Sequence, residues 1–425
     1  MGSEATAHQA PADGGESPWP EESQLTFLTA HASRLVASGI GLDPSYYDSL
    51  QPTQVQLQHR PGAGVSALYS LRDGSGFVGL TTERLPESDA YTQLRIPGWE
   101  LAPVGYAPLT VTVWRHPDDP RLPGLATAAV PERAESALGQ GDVLTRLETV
   151  AYRPLRRAVL RATFSTRPPA VVERVVYLKV MRPDQADALV ERSRLLAEAG
   201  LPVPPVLAHH HDGVAAFAEV PGSSLSRLIM DDGAASLDPR DLIRLLDRLP
   251  SAVVDLPVRA AWADRADRYA EAARAALPDY SRRITELEEG VRTCLAEADR
   301  GPVVPTHGDF YEANLMMEGT RIVGLLDVDN VGPGRRADDY ACLLGHVAVL
   351  PTVDERYQLI DTALEHFGAA FTRDEDPRAV WGSAAGVALS LIAGARAPGL
   401  EEDVWAPAAV GRLEAAEALL ARAKR

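Results

Sequence analysis

The amino-acid sequence predicts an α+β protein in which strands precede helices. In the first third of the chain, the segments SALYSLR, GFVGLTTE and LTVTVWRHP alternate in the manner of strands with one buried face. Three longer strand-like runs follow, with the sequences VLTRLETVAYR, RRAVLRATFS and RVVYLKVMR. From residue 223 onward, apolar residues recur at the spacing of amphipathic helices. This succession predicts two sheets followed by a helical region.

The N-terminal part is predicted to contain a tail and a small module. Residues 1–21 are rich in Ala, Gly, Pro, Ser and Glu, a composition typical of a disordered tail. Apolar residues at helical intervals from Leu25 predict a helix that ends at Gly39. Together with the alternating strands that follow, this helix predicts an α+β module over residues 22–138.

A second, antiparallel sheet is predicted over residues 139–222 from the three longer runs. Lys179 lies among apolar residues in the third run, where an ammonium group requires an anionic partner. The next segment, ADALVERSRLLAEAG, predicts a helix that ends at Gly200. The strand-like segment VAAFAEV ends at Pro221 and Gly222, and the helical region is predicted over residues 223–425.

Composition limits the possible partners and the cellular compartment. The length of 425 residues predicts two or three domains, and the net charge of -17 argues against a nucleic-acid partner. The two cysteines, Cys294 and Cys342, are far apart and indicate neither a disulfide framework nor a cysteine metal site. We find no apolar run that predicts a secretion signal or a membrane span, so a cytoplasmic location is expected. The sequence gives no indication of oligomeric state.

One stretch, residues 304–339, contains most of the side chains suited to catalysis. His307, Gly308 and Asp309 form a His-Gly-Asp motif, and Asn314 follows five residues after the Asp. A turn signal, EGT, then precedes an apolar run that ends in Asp-Val-Asp at residues 327–329. The spacing therefore groups a histidine, an amide and several carboxylates within a short segment.

The local chemistry of this stretch favours transfer of a phosphoryl group. Gly308 allows a tight loop that presents Asp309, and the apolar run predicts a short hairpin that delivers Asp327 and Asp329 toward the same loop. An acid that orients a substrate hydroxyl, with an amide oxygen and a carboxylate that hold Mg²⁺, is the set needed for transfer of a nucleotide γ-phosphate.

The pattern H-G-D-x-x-x-x-N, followed by L-L-D-V-D and A-D-D-Y-A, resembles the aminoglycoside phosphotransferase and choline kinase family, small-molecule relatives of the protein kinases. The resemblance implies a bilobal protein-kinase-like fold with a small antiparallel lobe and a larger helical lobe. In this chain those lobes would be preceded by the extra N-terminal module. The implied roles are Asp309 as catalytic base, Asn314 and Asp327 as Mg²⁺ ligands, and His307 and Asp339 as loop supports. Asp329 is either a further metal ligand or a support.

The resemblance also implies a nucleotide site. It makes Lys179 the residue that holds the α- and β-phosphates, with Glu191 as its partner and Glu198 as the alternative. Main-chain groups near Glu219 and Val220 would bind the adenine of ATP, and GTP remains open as the nucleotide.

The expected glycine-rich phosphate loop is absent from the sequence. The candidate turn at residues 152–157 contains no Gly and instead contains Arg153, Arg156 and Arg157. These arginines either supply charge to the phosphates, with Arg156 as the candidate, or are exposed hairpin residues.

The first functional hypothesis is an ATP-dependent kinase that phosphorylates a hydroxyl of a sugar, amino sugar, aminoglycoside or amino alcohol. A protein Ser/Thr kinase is disfavoured because Tyr311 and Val328 replace residues typical of those enzymes. A catalytically silent binding module is the alternative from another class. It is disfavoured because the residues implied to act on nucleotide, acceptor and metal are retained, namely Lys179, Asp309, Asn314 and Asp327.

Overall fold

The structure is a computed structural model, and it describes residues 19–43, 45, 47–60, 64–71, 76–97, 107–167, 171–396 and 400–424. Most of the predicted tail therefore lies outside the described residues. Sheets in the N-terminal part and helices in the C-terminal part confirm the predicted α+β class.

The chain divides into two compact units. Residues 1–171, 178–183 and 210–214 form the first, and residues 172–177, 184–209 and 215–425 form the second. The boundaries predicted after residues 21, 138 and 222 stay predictions.

The first unit begins with helices and an antiparallel sheet. The helices are α1 (Glu21–Ala30), α2 (Ala32–Gly39) and α3 (Tyr47–Leu50). The strands are β1 (Thr53–Arg60), β2 (Gly64–Ser70), β3 (Phe77–Thr81), β4 (Thr92–Ile96) and β5 (Leu109–Arg115), in the order β1-β2-β3-β5-β4. Leu35 and Val36 of α2 pack in one apolar core with Val65, Val111 and Val113 of the sheet, which joins helix and sheet into a module. The single helix expected over residues 25–39 is instead two helices separated at His31.

A second five-stranded sheet follows two short helices. The helices are α4 (Leu125–Ala128) and α5 (Pro131–Leu138). The strands are β6 (Val143–Arg153), β7 (Arg157–Ser165), β8 (Glu173–Val180), β9 (Val206–His210) and β10 (Val214–Ala218), in the order β6-β7-β8-β10-β9. The three long runs are therefore β6, β7 and β8, as predicted. β6 and β7 form an antiparallel hairpin.

Helices dominate the second unit. They are α6 (Pro183–Glu198), α7 (Leu225–Asp232), α8 (Pro239–Asp247), α9 (Ala266–Ala276), α10 (Ser281–Glu297), α11 (Arg336–Val349), α12 (Ile360–Phe371), α13 (Pro377–Leu391) and α14 (Glu402–Ala423). The segment Pro377–Ala395 has the length and apolar composition of a membrane span, but 72% of its apolar window is buried inside the protein. This burial is that of a core helix.

Two small sheets in the second unit frame the motif-rich stretch. β11 (Ser223–Ser224), β13 (Leu315–Glu318) and β14 (Arg321–Leu325) lie in the order β11-β13-β14. β12 (Val304–Thr306) pairs antiparallel with β15 (Gly332–Gly334). The hairpin predicted from the turn EGT is β13–β14, and it ends two residues before Asp327.

Candidate functional site

A tight loop follows β12 and contains the His-Gly-Asp motif. We call residues 307–314 the site loop. Gly308 has φ of +77°, and a Cβ atom at this position would lie 2.6 Å from the carbonyl oxygen of Asn330. The loop therefore uses both properties of glycine, its left-handed backbone and its lack of a side chain. The sequence-based expectation for Gly308 is confirmed.

Replacing Gly308 with Ala is expected to lower the free energy of unfolding by roughly 2–4 kcal/mol, because a left-handed alanine and an overpacked contact each carry a cost. Gly319→Ala is the matched control, since Gly319 has φ of +59° and no atom within 4 Å of the added Cβ. Urea unfolding of both variants separates the cost of backbone conformation from that of the contact. Equal destabilisation of the two variants would contradict the role of the Asn330 contact.

Asp339 of α11 fixes the start of the site loop. Its Oδ2 accepts a hydrogen bond from the His307 N–H at 2.9 Å, and its Oδ1 accepts one from the Gly308 N–H at 2.8 Å. The residue is only 1% exposed. Burial raises the pKa of Asp339 to about 7, and the two N–H donors oppose that rise because they favour the carboxylate. One carboxylate thus orients two consecutive peptide groups.

The side chain of His307 joins the loop to the β13–β14 hairpin. His307 is fully buried, and its Nε2 lies 3.0 Å from the carbonyl oxygen of Leu326. A carbonyl oxygen only accepts, so Nε2 carries the proton in this bond. The ring also packs edge-on against Phe310. His307 and Asp339 therefore both bind main-chain groups of this region, and their role as loop supports stays a prediction.

Hydrogen bonds bring Asp309, Asn314 and Asp327 into one neighbourhood. The Asn314 Nδ2 donates to the Asp309 carbonyl oxygen at 2.9 Å, and the Leu326 N–H donates to the Asn314 carbonyl oxygen at 2.8 Å. Asp327, the next residue, adopts a left-handed conformation with φ of 53° and ψ of 52°. Because the Asn314 nitrogen is engaged, its amide oxygen is the atom suited to a cation.

This donor set fits Mg²⁺ bound together with a nucleotide. Magnesium usually takes one or two protein carboxylates, and phosphate and water oxygens complete its shell. Asn314 and Asp327 supply an amide oxygen and a carboxylate of that kind. Among the described residues, no group of three or more His, Cys, Asp or Glu side chains lies close enough together to hold a metal ion.

The charge of Asp329 acts on Arg192, a residue that the sequence analysis did not single out. Burial and the charge of Arg259 lower the pKa of Arg192, and the charge of Asp329 opposes this shift. Arg259 also donates a hydrogen bond to the Oδ1 of Asn330. Arg192 lies on α6 and Arg259 precedes α9, so no local sequence signal joined them to the Asp-Val-Asp motif.

An aromatic contact between the site loop and α11, and a buried acid within the loop, were not foreseen from the sequence. Tyr311 stacks on His346 of α11, with ring centroids 4.3 Å apart. Burial lowers the pKa of His346 to about 4, so the imidazole is neutral at pH 7. Glu312 is 5% exposed, and burial raises its pKa to about 7. Within the described part of the chain its Oε2 makes no hydrogen bond.

A buried thiol lies beside the expected base. The Cys342 Sγ is 4.0 Å from the Oδ1 of Asp309. Burial raises the pKa of the Cys342 thiol, and the charge of Asp309 raises it further. Cys342 therefore faces Asp309 as a neutral thiol, which leaves the carboxylate as the basic group of the pair.

The residues expected to bind the nucleotide phosphates lie in the two units. In the first unit, Lys179 is half-buried in β8 between buried Leu178 and Val180, and Arg156 is exposed in the turn between β6 and β7. In the second unit, Glu191 and Glu198 are exposed on α6. Their predicted pairing with Lys179 stays a prediction.

The segment expected to bind adenine follows β10. The Glu219 N–H donates to the Val175 carbonyl oxygen at 3.3 Å, while Val220 is half-buried. A base that binds here would therefore use the Glu219 carbonyl oxygen or the Val220 main chain, not the Glu219 N–H.

A cavity of about 380 Å³ in the second unit borders the site loop. Its lining includes Gly308, Asn330 and Asp339 from the motif-rich stretch, and Arg259 and Trp262 from the segment before α9. This volume is in the range of small-molecule sites.

Comparisons relate the chain to known proteins. The sequence model of the phosphotransferase enzyme family, APH, matches residues 165–382, about half of the chain. A search of curated proteins found no significant match.

Solved structures share part of this architecture at low sequence identity. A thermostable mutant of aminoglycoside phosphotransferase APH(4)-Ia, in ternary complex with ADP and hygromycin B, is 13% identical with a TM-score of 0.48, covering 69% of this chain and 98% of its own. A choline/ethanolamine kinase family protein from Mesorhizobium loti is 17% identical with a TM-score of 0.44, covering 70% and 96%. ADP-bound APH(2'')-Ib is 12% identical with a TM-score of 0.40, covering 68% and 98%.

Proposed function

This chain belongs to the phosphotransferase enzyme family, and from that premise we propose that it transfers the γ-phosphate of ATP to a hydroxyl group of a small molecule. Membership confirms a phosphotransferase with the expected kinase-like fold. The matched region begins at residue 165, so the module predicted over residues 22–138 lies outside it.

The observation that carries the proposal is the hydrogen-bonded neighbourhood of Asp309, Asn314 and Asp327. Asp339 and His307 hold the main chain on which Asp309 is presented. Asn314 is tied to Asp309 through its side chain and to the start of the Asp-Val-Asp motif through its carbonyl group. This arrangement supports one carboxylate as a base and a separate amide–carboxylate pair as a cation site.

In the proposed reaction, Asp309 accepts a hydrogen bond from the acceptor hydroxyl and takes up its proton as the hydroxyl oxygen bonds to the γ-phosphorus. The bond between the γ-phosphorus and the β–γ bridging oxygen breaks, and ADP leaves. Asn314 and Asp327 would hold Mg²⁺, which when bound neutralises phosphate charge. Lys179 and Arg156 are proposed to contact the phosphates, and the main chain near Glu219 and Val220 is proposed to contact the base.

We propose that Asp329 acts as a support, not as a metal ligand. Its charge favours the charged form of Arg192, whereas the charge of Arg259 disfavours it. An acid in this position neutralises part of a cationic pair beside the motif. The carboxylate of Asp327 then remains the protein's negatively charged metal ligand.

The acceptor class is proposed as a sugar, amino sugar, aminoglycoside or amino alcohol. The net charge of -17 favours an acceptor that carries an amine. GTP is the alternative phosphate donor. From the composition we further propose a cytoplasmic location, without a nucleic-acid or membrane partner.

Phosphate transfer from γ-labelled ATP in the presence of Mg²⁺ tests this function. The wild-type chain is incubated with separate pools of aminoglycosides, amino sugars, sugars and amino alcohols, and in parallel with GTP and with a protein acceptor. Transfer to one small-molecule pool supports the proposal and identifies the acceptor class. Transfer to protein alone would contradict it. Nucleotide binding without transfer or hydrolysis would favour the catalytically silent binding module.

A further inference from the structure

The turn between β6 and β7 has a constrained backbone without glycine. Leu155 adopts φ of 63°, a left-handed conformation that is unfavourable for a branched apolar residue. Its side chain is 2% exposed. Burial of this side chain and further contacts must therefore hold the turn.

Asp119 supplies those contacts from the segment between β5 and α4. Its Oδ2 accepts hydrogen bonds from the Leu155 N–H at 2.8 Å and from the Tyr152 hydroxyl at 2.7 Å. Its Oδ1 accepts one from the Arg121 N–H at 2.9 Å. The carboxylate is thus bound to the end of β6, to the turn itself and to its own segment.

The environment of Asp119 favours a rigid contact. The residue is 4% exposed, and burial raises its pKa while the hydrogen-bond donors oppose the rise. Burial and the charge of Asp119 raise the pKa of Tyr152 well above its usual value, so Tyr152 remains a donor. The Trp114 Nε1 donates in turn to the Tyr152 oxygen at 3.2 Å, which extends the network to β5.

The main-chain N–H groups of the turn already donate hydrogen bonds within the protein. The Leu155 N–H is bound to Asp119, and the Arg156 N–H donates to the Arg153 carbonyl oxygen at 3.0 Å. A glycine-rich loop holds phosphates through such N–H groups. This turn must instead use side chains, and the exposed guanidinium of Arg156 lies next to the residue that Asp119 fixes.

We infer that Asp119 is a positioning residue for the nucleotide, fixing the turn at residues 153–157 so that Arg156 meets the phosphates. The inference rests on the proposed phosphotransfer function. By this inference, the segment that contains Asp119, which precedes the region matched by the family model, contributes to nucleotide binding. Asp119 itself does not touch the nucleotide, because it is buried behind the turn that it holds.

Asp119→Asn tests the inference with little change in shape. An amide presents a donor where the carboxylate offered an acceptor, so either Leu155 or Arg121 loses its partner. We expect the KM for ATP to rise roughly tenfold, the scale of one lost hydrogen bond to a charged group, while kcat and the acceptor KM stay within about twofold of wild type. Hydrogen exchange of the Leu155 amide in the nucleotide-free full-length protein should become faster.

Asp212→Asn is the matched control. Asp212 lies in the same unit and accepts a hydrogen bond from the Thr127 hydroxyl of α4 at 2.6 Å. Its contacts are with Thr127 and His210, away from the turn between β6 and β7, and a hydroxyl can rotate to meet an amide. This variant should leave the ATP KM and the Leu155 exchange rate unchanged.

Tyr152→Phe provides a second, milder variant if Asp119→Asn does not fold. It removes one donor to Asp119 and leaves the Leu155 bond, so the ATP KM should rise by roughly threefold.

The outcomes distinguish failure of the inference about Asp119 from failure of the proposed phosphotransfer function. Faster Leu155 exchange with an unchanged ATP KM would overturn the inference, because the turn would not serve the nucleotide. Unchanged Leu155 exchange together with an unchanged ATP KM would overturn it as well, because Asp119 would then neither hold the turn nor affect nucleotide binding. If calorimetry shows that wild type binds no Mg²⁺-nucleotide, the proposed function itself fails. If wild type and Asp119→Asn bind the nucleotide equally tightly, only the inference about Asp119 fails.

Discussion

Replacing Asp309 with Asn is expected to lower kcat by roughly 10³-fold, within the range found for removal of a general base. Asparagine has nearly the same shape and still accepts a hydrogen bond from the acceptor hydroxyl. It cannot accept the proton when that oxygen attacks. The site loop should remain intact, because its bond to Asn314 uses the Asp309 main-chain carbonyl group and not the carboxylate.

The measurement compares kcat with the affinity for Mg²⁺-ATP determined by calorimetry. We expect nucleotide affinity within about threefold of wild type, since the lost interaction belongs to the transition state. Asp354→Asn is the matched control for the chemical change, because Asp354 pairs with Arg356 in a turn before α12. A loss of kcat below about tenfold would show that Asp309 is not the base.

Sequence reasoning was effective in the site loop because its determinants are local. The spacing from His307 to Asn314 and the hairpin before Asp327 all lie within one short stretch of sequence. The turn signal and strand residues were therefore enough to place Asp327 near the loop. Gly308 was identifiable for the same reason, since a loop position with a left-handed backbone favours glycine.

Residues outside such local patterns could not be found from the sequence. Asp119 lies 33 residues before Tyr152 and 36 before Leu155, with two helices between them. Nothing in its neighbourhood indicates that its carboxylate is buried under a turn. Tyr311 and His346 likewise meet only because α11 packs beside the site loop.

The strands and helices show the same limit of sequence-based prediction. Period-two alternation predicted β7 and β8, in which buried residues alternate with less buried ones, whereas β6 has no buried residue and was predicted from its strand-like sequence alone. The order β6-β7-β8-β10-β9 depends instead on pairings between distant segments, which alternation does not encode. The break at His31 also interrupts a continuous helical pattern, so apolar periodicity predicted a single helix.

Asp327→Asn and Asp329→Asn are expected to have different consequences although the two acids are separated by one residue. Asparagine tolerates the left-handed backbone of Asp327, so the first substitution removes charge with little conformational cost. We expect it to lower kcat by roughly 10²–10³-fold and to weaken binding of the divalent cation. Asp329→Asn removes the charge that acts on Arg192 and leaves the proposed metal ligands in place.

Titration with Mn²⁺ in the presence of nucleotide, followed by electron paramagnetic resonance, distinguishes the two roles without relying on turnover. The Asp327 variant should bind Mn²⁺ at least roughly tenfold more weakly, as expected for loss of a ligand or its close support. The Asp329 variant should bind Mn²⁺ as wild type does and should unfold at a lower temperature, because the half-buried Arg192 would lose a nearby opposite charge. Equal losses of Mn²⁺ affinity in the two variants would make Asp329 a second carboxylate ligand, and the arginines beside it would then require another counter-charge.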